Sequence, residues 1–582
     1  MKTIHMVMIG LAALVTACST TQAIPATGAE TAYRWSPHSD PNAARAYSSF
    51  LVGRYAALTN DPREAARRYA EAVAREPGDA DLVERAVFAA LLSGEMEAAA
   101  DISRAAGNEV TSQVALPRLV LAVDALRDGK GKTARKILGS GDYTLFNDLV
   151  GRGLLAWAVY DEKGGEAALK IISPPKEAVG LERGISSLTE ALIQHVSGDD
   201  QSALSTLEKM WAEGSRFAAA AELQARLTAR TGRTDDAIKV LTEFQTSIGS
   251  NPAIEALQKE IIGGNIPELS RLSAGEGAAL SLYAPAALLA AQTQGDVSGV
   301  YFSLALALDP ELHVARTLWA NALDEAGRRG EAIRVLEQVP DTSPFYVSAR
   351  GQLAWALRRE ERNDEALQVA DEALRHRPHR DLKIQLGDLY RSLDRHGEAG
   401  LVFNEIVEAD KAEGRDADWR LLYARGAARE RMGRWPEAEA DLLAAIELAP
   451  NDAGLLNYLG YSWVDRGINM ERGFDLIRKA VSLRPHSGMI VDSLGWAHYK
   501  RGEYDEAVRY LERAVELEPG DPVLNDHLGD AYWKVGRRLE AGFQWQRSLS
   551  LDPDKSAAEK TQAKLDNGLQ DDAVARLATN FH

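Results

Sequence analysis

The C-terminal half of this 582-residue chain repeats itself at intervals of about 34 residues. Gly495 is followed at fixed steps by Ala507, Ala514 and Pro519. The same steps from Gly529 lead to Ala541, Ser548 and Pro553. A fixed period of this length indicates stacked copies of one small supersecondary unit rather than a single globular core.

The same register recurs in eight units, whose leading small residues are Gly53, Ala320, Ala354, Gly387, Gly426, Gly460, Gly495 and Gly529. The repeats are most regular from 345 to 553 and from 45 to 78. In 107–280 the spacings drift and most closing prolines are missing, so we interpret this part as degenerate repeats of the same kind. Residues 410–418 lengthen one unit and are predicted to form an exposed loop.

The residue types in the register predict a pair of helices in each unit. Apolar residues recur three and four positions apart, as amphipathic helices require. Glycine inside a helix costs about 1 kcal/mol relative to alanine, so its recurrence indicates that the two helices approach closely there. Proline cannot continue a helix and therefore ends the second one. Tight turns are expected at Arg501-Gly502 and Val535-Gly536.

The period and these residues resemble the tetratricopeptide repeat family. The resemblance implies an all-α fold, a right-handed superhelical solenoid of tetratricopeptide helix-turn-helix repeats. We divide the chain into segments 1–17 (signal peptide), 18–44 (flexible tether), 45–106 (N-terminal repeats), 107–280 (degenerate repeats), 281–553 (C-terminal array) and 554–582 (capping helix and tail).

The only cysteine, Cys18, follows the apolar run 6–15 and two small residues. This run is too short to span a bilayer, and its layout is typical of a secretory signal. The stretch Val15–Cys18 resembles the lipobox of bacterial lipoproteins, in which a diacylglycerol and a fatty acid such as palmitate are attached to the cysteine. The alternatives are a buried core cysteine or an ordinary signal peptide that contains Cys18.

The resemblance to lipoproteins predicts a location on the periplasmic face of the outer membrane. Ser19 follows the cysteine, whereas an aspartate there retains enterobacterial lipoproteins at the inner membrane. The net charge of −18 argues against nucleic-acid binding and against general binding to anionic lipid, both of which need basic surfaces.

No pattern of residues predicts catalysis, a metal site or a cofactor other than the lipid on Cys18. The segment Gly131-Lys132-Thr133 lacks the earlier glycine and the preceding strand of a phosphate-binding loop. His376 and His379 are separated by Pro378 and cannot share a helix face as zinc ligands. The repeats occupy nearly the whole chain, so we predict that the protein is not an enzyme.

In tetratricopeptide repeats the first helix of each pair lines a concave groove that binds peptides. Residues that follow the small position on this helix, together with polar residues one turn earlier, are therefore candidates for protein binding. These candidates are Asn457, Tyr461, Asp492, Trp496, Tyr499, Asp526, Asp530 and Trp533. Aromatic rings supply contact area and carboxylates accept hydrogen bonds. The alternative is that some of the rings fill the seams between repeats.

The whole layout is similar to a narrower group, the outer-membrane repeat lipoproteins that act as adaptors for a periplasmic carboxy-terminal processing protease. These adaptors bring substrates, notably cell-wall hydrolases, to the protease. The similarity lies in the lipobox, the irregular middle and the run 457–514. The alternative function is a lipoprotein scaffold for envelope assembly or polysaccharide secretion. An enzyme hidden in 107–280 would require a non-helical domain there.

Overall fold

The computed structural model describes residues 41–139, 145–172, 180–265, 269, 271–290 and 296–569. All regular elements within these ranges are helices, which confirms the prediction of an all-α fold. The predicted signal peptide and Cys18 lie outside the described residues, as do most of the predicted tether and the tail after residue 569.

The described residues form two compact units, which divide between Arg377 and Pro378. The helices of unit 1 are α1 Pro41–Leu58, α2 Pro62–Val73, α3 Ala80–Leu92, α4 Met96–Gln113, α5 Ala115–Arg127, α6 Gly131–Leu138, α7 Leu145–Lys163, α8 Gly165–Ile172, α9 Gly180–Val196, α10 Asp200–Ala212, α11 Ala218–Arg230, α12 Thr234–Ser247, α13 Pro252–Ile262, α14 Ala274–Ala290, α15 Asp296–Leu308, α16 His313–Glu325, α17 Arg329–Glu337, α18 Tyr346–Arg359 and α19 Asn363–His376. The helices of unit 2 are α20 Arg380–Ser392, α21 His396–Ala412, α22 Trp419–Arg431, α23 Trp435–Leu448, α24 Ala453–Asp465, α25 Met470–Leu483, α26 Gly488–Lys500, α27 Tyr504–Leu517, α28 Pro522–Lys534, α29 Arg538–Ser550 and α30 Lys555–Asn567.

Helix pairs in unit 2 follow the predicted repeat register. The turns inside two pairs contain Gly502 and Gly536, whose φ angles of 79° and 84° lie in the left-handed region that glycine adopts at little cost. The first helices α24 and α28 begin after Asp452 and Asp521, whose carboxylates accept hydrogen bonds from backbone N–H groups of the first turn. Turn and cap residues thus fix where each helix begins and ends.

The small residues of the register permit close packing within a pair. A Cβ added at Gly529 would lie 2.5 Å from the ring of the buried Trp545 on α29. A Cβ at Gly495 would lie 2.6 Å from Leu511 on α27. Both distances are too short for any carbon, so a side chain at Gly495 or Gly529 would clash with the second helix of its pair.

The insertion at 410–418 differs in part from its prediction. Residues 410–412 extend α21, and the remainder forms the connection to α22. Asp410 is buried rather than exposed, because Arg380 donates hydrogen bonds to its carboxylate at 2.8–3.0 Å. The longer helix therefore places a carboxylate against the start of α20.

Unit 1 contains two helices that depart from the repeat pattern. Helix α14 and helix α15 are apolar around most of their circumference, and most of their residues are buried. Helix α14 packs against α7 and α9, whereas α15 packs against α3 and α5. The hairpin α14–α15 thus contacts α3, α5, α7 and α9, which are the first helices of four successive helix pairs in unit 1. Helix α14 also runs across the segment boundary that the sequence analysis placed after residue 280.

The contact between α14 and α7 is tight and includes a buried polar link. Trp157 on α7 is fully buried, and its indole N–H donates to the Ser281 hydroxyl on α14 at 3.1 Å. A Cβ at Gly277 would lie only 2.2 Å from the Trp157 ring. Likewise, a Cβ at Gly299 of α15 would lie 3.1 Å from Nε1 of Trp319 on α16. Large rings against glycines therefore hold the hairpin in place.

Candidate protein-binding face

The inner side of unit 2 can be located from contacts between successive repeats. The first helices α24, α26 and α28 contact one another from one repeat to the next. The second helices α25, α27 and α29 make at most marginal contact with one another. Stacked helix pairs curve toward the side on which they are closer, so the first helices line the concave side of unit 2.

Six aromatic side chains lie on the first helices of unit 2, and we call the set Tyr423, Tyr458, Tyr461, Trp496, Tyr499 and Trp533 the inner aromatic ladder. The Tyr423 and Tyr458 rings meet edge to face, with centroids 5.2 Å apart. Trp496 stacks on Tyr499 at 4.7 Å and on His527 at 4.1 Å. All six ladder side chains are half-buried. Each ring therefore both fills a seam and presents part of its surface.

Two candidates lie on α24, namely Asn457 and the ladder residue Tyr461. Tyr461 is half-buried, and burial followed by the nearby carboxylates of Asp465 and Asp492 raises the pKa of its hydroxyl. The Oδ1 atom of Asn457 is buried and has no hydrogen-bond partner among the described residues. Because this acceptor is out of contact with solvent, a bound chain would reach it only if neighbouring side chains moved.

Asp492 does not have the exposure that the sequence analysis expected. Its side chain is buried and accepts a hydrogen bond from Nδ1 of His527 at 2.9 Å. Burial lowers the pKa of His527, but the carboxylates of Asp492, Asp526 and Asp530 outweigh this effect and raise the pKa above its ordinary value. The pair therefore joins α26 to α28 and leaves little of the Asp492 carboxylate for a peptide.

The capping helix α30 donates hydrogen bonds to the carboxylates of Asp526 and Asp530. The Lys564 ammonium donates to Asp526 at 2.6 Å and to Asp530 at 2.8 Å, and the Thr561 hydroxyl donates to Asp526 at 3.0 Å. Asp530 also accepts from the Trp545 indole N–H at 3.0 Å. Asp530 was predicted as a candidate for protein binding, and its carboxylate is buried in contacts with α29 and α30. Helix α30 lies in the segment for which a capping helix is predicted.

The buried pair of Asp492 and His527 makes the stability of unit 2 dependent on pH. Because the folded pKa of His527 is raised, its stabilisation is complete below the unfolded pKa and is lost as pH rises through the folded value. We expect the free energy of unfolding of unit 2 to fall as pH rises above about 6.5, the ordinary pKa of histidine, and this fall to be smaller in His527→Gln. Urea unfolding at a series of pH values measures both falls. An equal fall in the variant would contradict the assignment.

Three residues that shape this face were not among the predicted candidates. His527 forms the floor under Trp496, Lys564 neutralises two carboxylates, and the Tyr458 hydroxyl donates to Glu430 at 2.5 Å. The sequence carries a signal for these contacts, because many of them join residues that are one repeat apart. Asp492 and His527 are 35 positions apart, as are Asp526 and Thr561.

Metal-binding clusters and bilayer-spanning helices are absent from the described part of the chain. No group of three or more His, Cys, Asp or Glu side chains there could hold a metal ion. Within the same ranges, no helix combines the length and the apolar character that crossing a bilayer requires. Gly131 and Lys132 begin helix α6, where the Gly131 N–H donates to Asp161. His376 lies beside Asp341 and the Tyr346 ring.

Comparison with known families agrees with the helix pairs. Residues 492–521 match the tetratricopeptide repeat family, and residues 317–381 and 352–414 match it as well. Within these residues the chain carries tetratricopeptide repeats. Repeats of this family generally act as non-catalytic surfaces for binding other proteins, so these repeats favour a protein-interaction scaffold.

The chain is similar in part to a curated relative and to solved structures. A repeat-containing protein of Pseudomonas aeruginosa is 29% identical over 188 residues, which cover 32% of this chain and 31% of that protein. The repeat protein thus spans about a third of this relative. A tetratricopeptide repeat structure from Parabacteroides merdae has 15% identity and a TM-score of 0.38, and covers 44% of this chain and 99% of its own. The Cut9–Hcn1 complex has 14% identity and a TM-score of 0.37, with 91% and 97% covered.

Proposed function

We propose that this chain is a non-enzymatic scaffold, anchored by lipid at Cys18 to the periplasmic face of the outer membrane, which binds other proteins through the inner aromatic ladder of unit 2. The observation that carries the proposal is the row of half-buried rings on the concave side of unit 2. Rings held in place by their neighbours supply contact area at low entropic cost.

Unit 1 supports the choice of unit 2 as the binding surface. The first helices α3, α5, α7 and α9 are covered by the apolar hairpin α14–α15. A peptide could bind there only by displacing side chains such as Trp157 and Phe302, which are fully buried. The free energy lost by exposing them makes that exchange unfavourable.

The specific role we propose is that of an adaptor. The repeat protein would present substrates, such as cell-wall hydrolases, to a carboxy-terminal processing protease of the periplasm. This role follows from the resemblance described above and is compatible with a scaffold that holds a chain along several repeats. A lipid anchor would keep both partners close to the envelope, where the binding of the second is favoured by its effective concentration.

A photo-reactive amino acid placed at Tyr461 in cells tests this proposal. We expect cross-links from this position to a carboxy-terminal processing protease or its substrates, identified by mass spectrometry. The matched control position is Phe543, an exposed aromatic residue on the second helix α29, which should give none of these products. Cross-links from Tyr461 only to envelope-assembly or polysaccharide-secretion proteins would support the alternative scaffold and reject the adaptor.

The anchor is tested separately by the mass of the mature N-terminal peptide. We expect this peptide to begin at Cys18 and to carry a diacylglycerol and an additional fatty acid. An unmodified Cys18, or a mature chain that begins after it, would reject lipid anchoring but would leave the binding face of unit 2 in place.

A further inference from the structure

The first helix of unit 1 exposes an apolar stripe that faces away from the rest of the unit. Tyr47, Leu51, Tyr55 and Leu58 are spaced by three or four residues and therefore share one side of α1. Tyr47, Tyr55 and Leu58 are 63%, 69% and 77% exposed. With Val52, α1 carries five of the sixteen exposed large apolar side chains of the described residues.

The opposite side of α1 accounts for its packing in the unit. Ala46, Gly53 and Ala56 are buried, and a Cβ at Gly53 would lie 2.9 Å from the Tyr69 ring on α2. The helix is therefore apolar on two opposite sides, of which the described residues cover only one. An exposed apolar stripe rimmed by polar residues is typical of an interaction site.

Charge indicates which partner fits the stripe. The chain has a net charge of −18, yet α1 carries two arginines and no acidic residue. Arg45 and Arg54 are both exposed. At physiological ionic strength charges are screened within about 8 Å, so the acidic remainder of the chain has little effect on a surface in contact with α1. An apolar stripe that includes tyrosines and is flanked by arginines suits the boundary between anionic headgroups and acyl chains.

We propose that the stripe Tyr47–Leu51–Tyr55–Leu58 docks on an anionic phospholipid surface, with α1 lying in the plane of the membrane. The proposal deepens the lipid anchoring proposed above and depends on it for its effect in the cell. Residues 19–40 number 22 and can span at most about 75 Å. A chain anchored at Cys18 therefore keeps α1 near the bilayer, and weak affinity is sufficient for docking.

Vesicle flotation with an unlipidated chain tests this inference. The protein is produced from residue 19 onward, which retains all described residues and removes Cys18. We expect it to float with vesicles of phosphatidylethanolamine and phosphatidylglycerol, less with phosphatidylcholine alone, and less at high salt. The double variant Leu51→Ser/Leu58→Ser should lower the partition coefficient at least about tenfold, because two leucines no longer leave water.

The matched control is Leu539→Ser/Phe543→Ser, which removes two exposed apolar side chains from α29 and should leave flotation unchanged. Equal flotation of the two double variants would overturn the inference. The inference would also be overturned if light scattering showed a dimer that the α1 variant dissociates while flotation stays the same. Stronger flotation after removal of residues 19–40 would overturn it as well. Because Cys18 is absent, none of these results depends on whether that residue carries lipid.

Discussion

Replacing Trp157 by alanine is expected to lower the free energy of unfolding of unit 1 by about 3–5 kcal/mol, the usual cost of emptying a large buried aromatic site. The indole is fully buried, lies directly against Gly277 and donates to Ser281. Its removal would leave a cavity between α7 and α14. The Ser281 hydroxyl would also lose the hydrogen bond that it accepts from the indole.

Denaturant unfolding and hydrogen exchange measure this effect together. Exchange of backbone amides in α14 should accelerate in Trp157→Ala, because these amides are protected by the packing that is lost. The control Leu539→Ala truncates a side chain that is 78% exposed and should change stability by less than about 0.5 kcal/mol. If Trp157→Ala lost less than about 1 kcal/mol, the packing of the hairpin on α7 would be contradicted.

The repeat register predicts the fold well because its information is local. The small residues at Gly495 and Gly529, the glycine turns and the closing prolines each act within one helix pair. These constraints fix which helices pair and where they turn. The structure agrees with the predicted turns at Gly502 and Gly536 for this reason.

The hairpin α14–α15 could not be placed from the register, because its partners are distant in sequence. Trp157 and Ser281 are 124 positions apart, and no repeat spacing connects them. The uniform apolar character of the hairpin indicates burial but not which surface buries it. The same limit applies to the segment boundary at residue 280, which was set by repeat regularity alone.

For the candidate residues too, the sequence predicts the helix on which a residue lies but not the side chain that contacts it. The register correctly places Asp492 and Asp530 on first helices, but exposure depends on what the next repeat contributes. His527 and Lys564 occupy those carboxylates from one repeat further along. The aromatic candidates keep partly exposed surface, since a ring is larger than the seam that it fills. Thus the rings remain the stronger candidates for contact with a partner.

Those rings give the second large expected effect, the loss of partner binding in Tyr461→Ala/Trp496→Ala. We expect affinity for the protein that cross-links at Tyr461 to fall at least about 100-fold, or about 2.7 kcal/mol, since large aromatic residues at the centre of an interface often contribute 2 kcal/mol or more each. Surface plasmon resonance with the purified partner measures the change. Most of it should appear as faster dissociation, because interface variants mainly alter the dissociation rate.

Trp496 also stacks on Tyr499 and His527, so its removal affects packing as well as binding. The variant must therefore be measured well below its unfolding temperature, and Trp496→Phe should recover part of the affinity by restoring a ring at this position. The control Leu539→Ala/Phe543→Ala removes exposed apolar side chains from the second helix α29 and should bind normally. If both double variants lost affinity equally, binding would not be confined to the concave side. If neither did, the inner aromatic ladder would be structural only, and the partner would bind another surface of the chain.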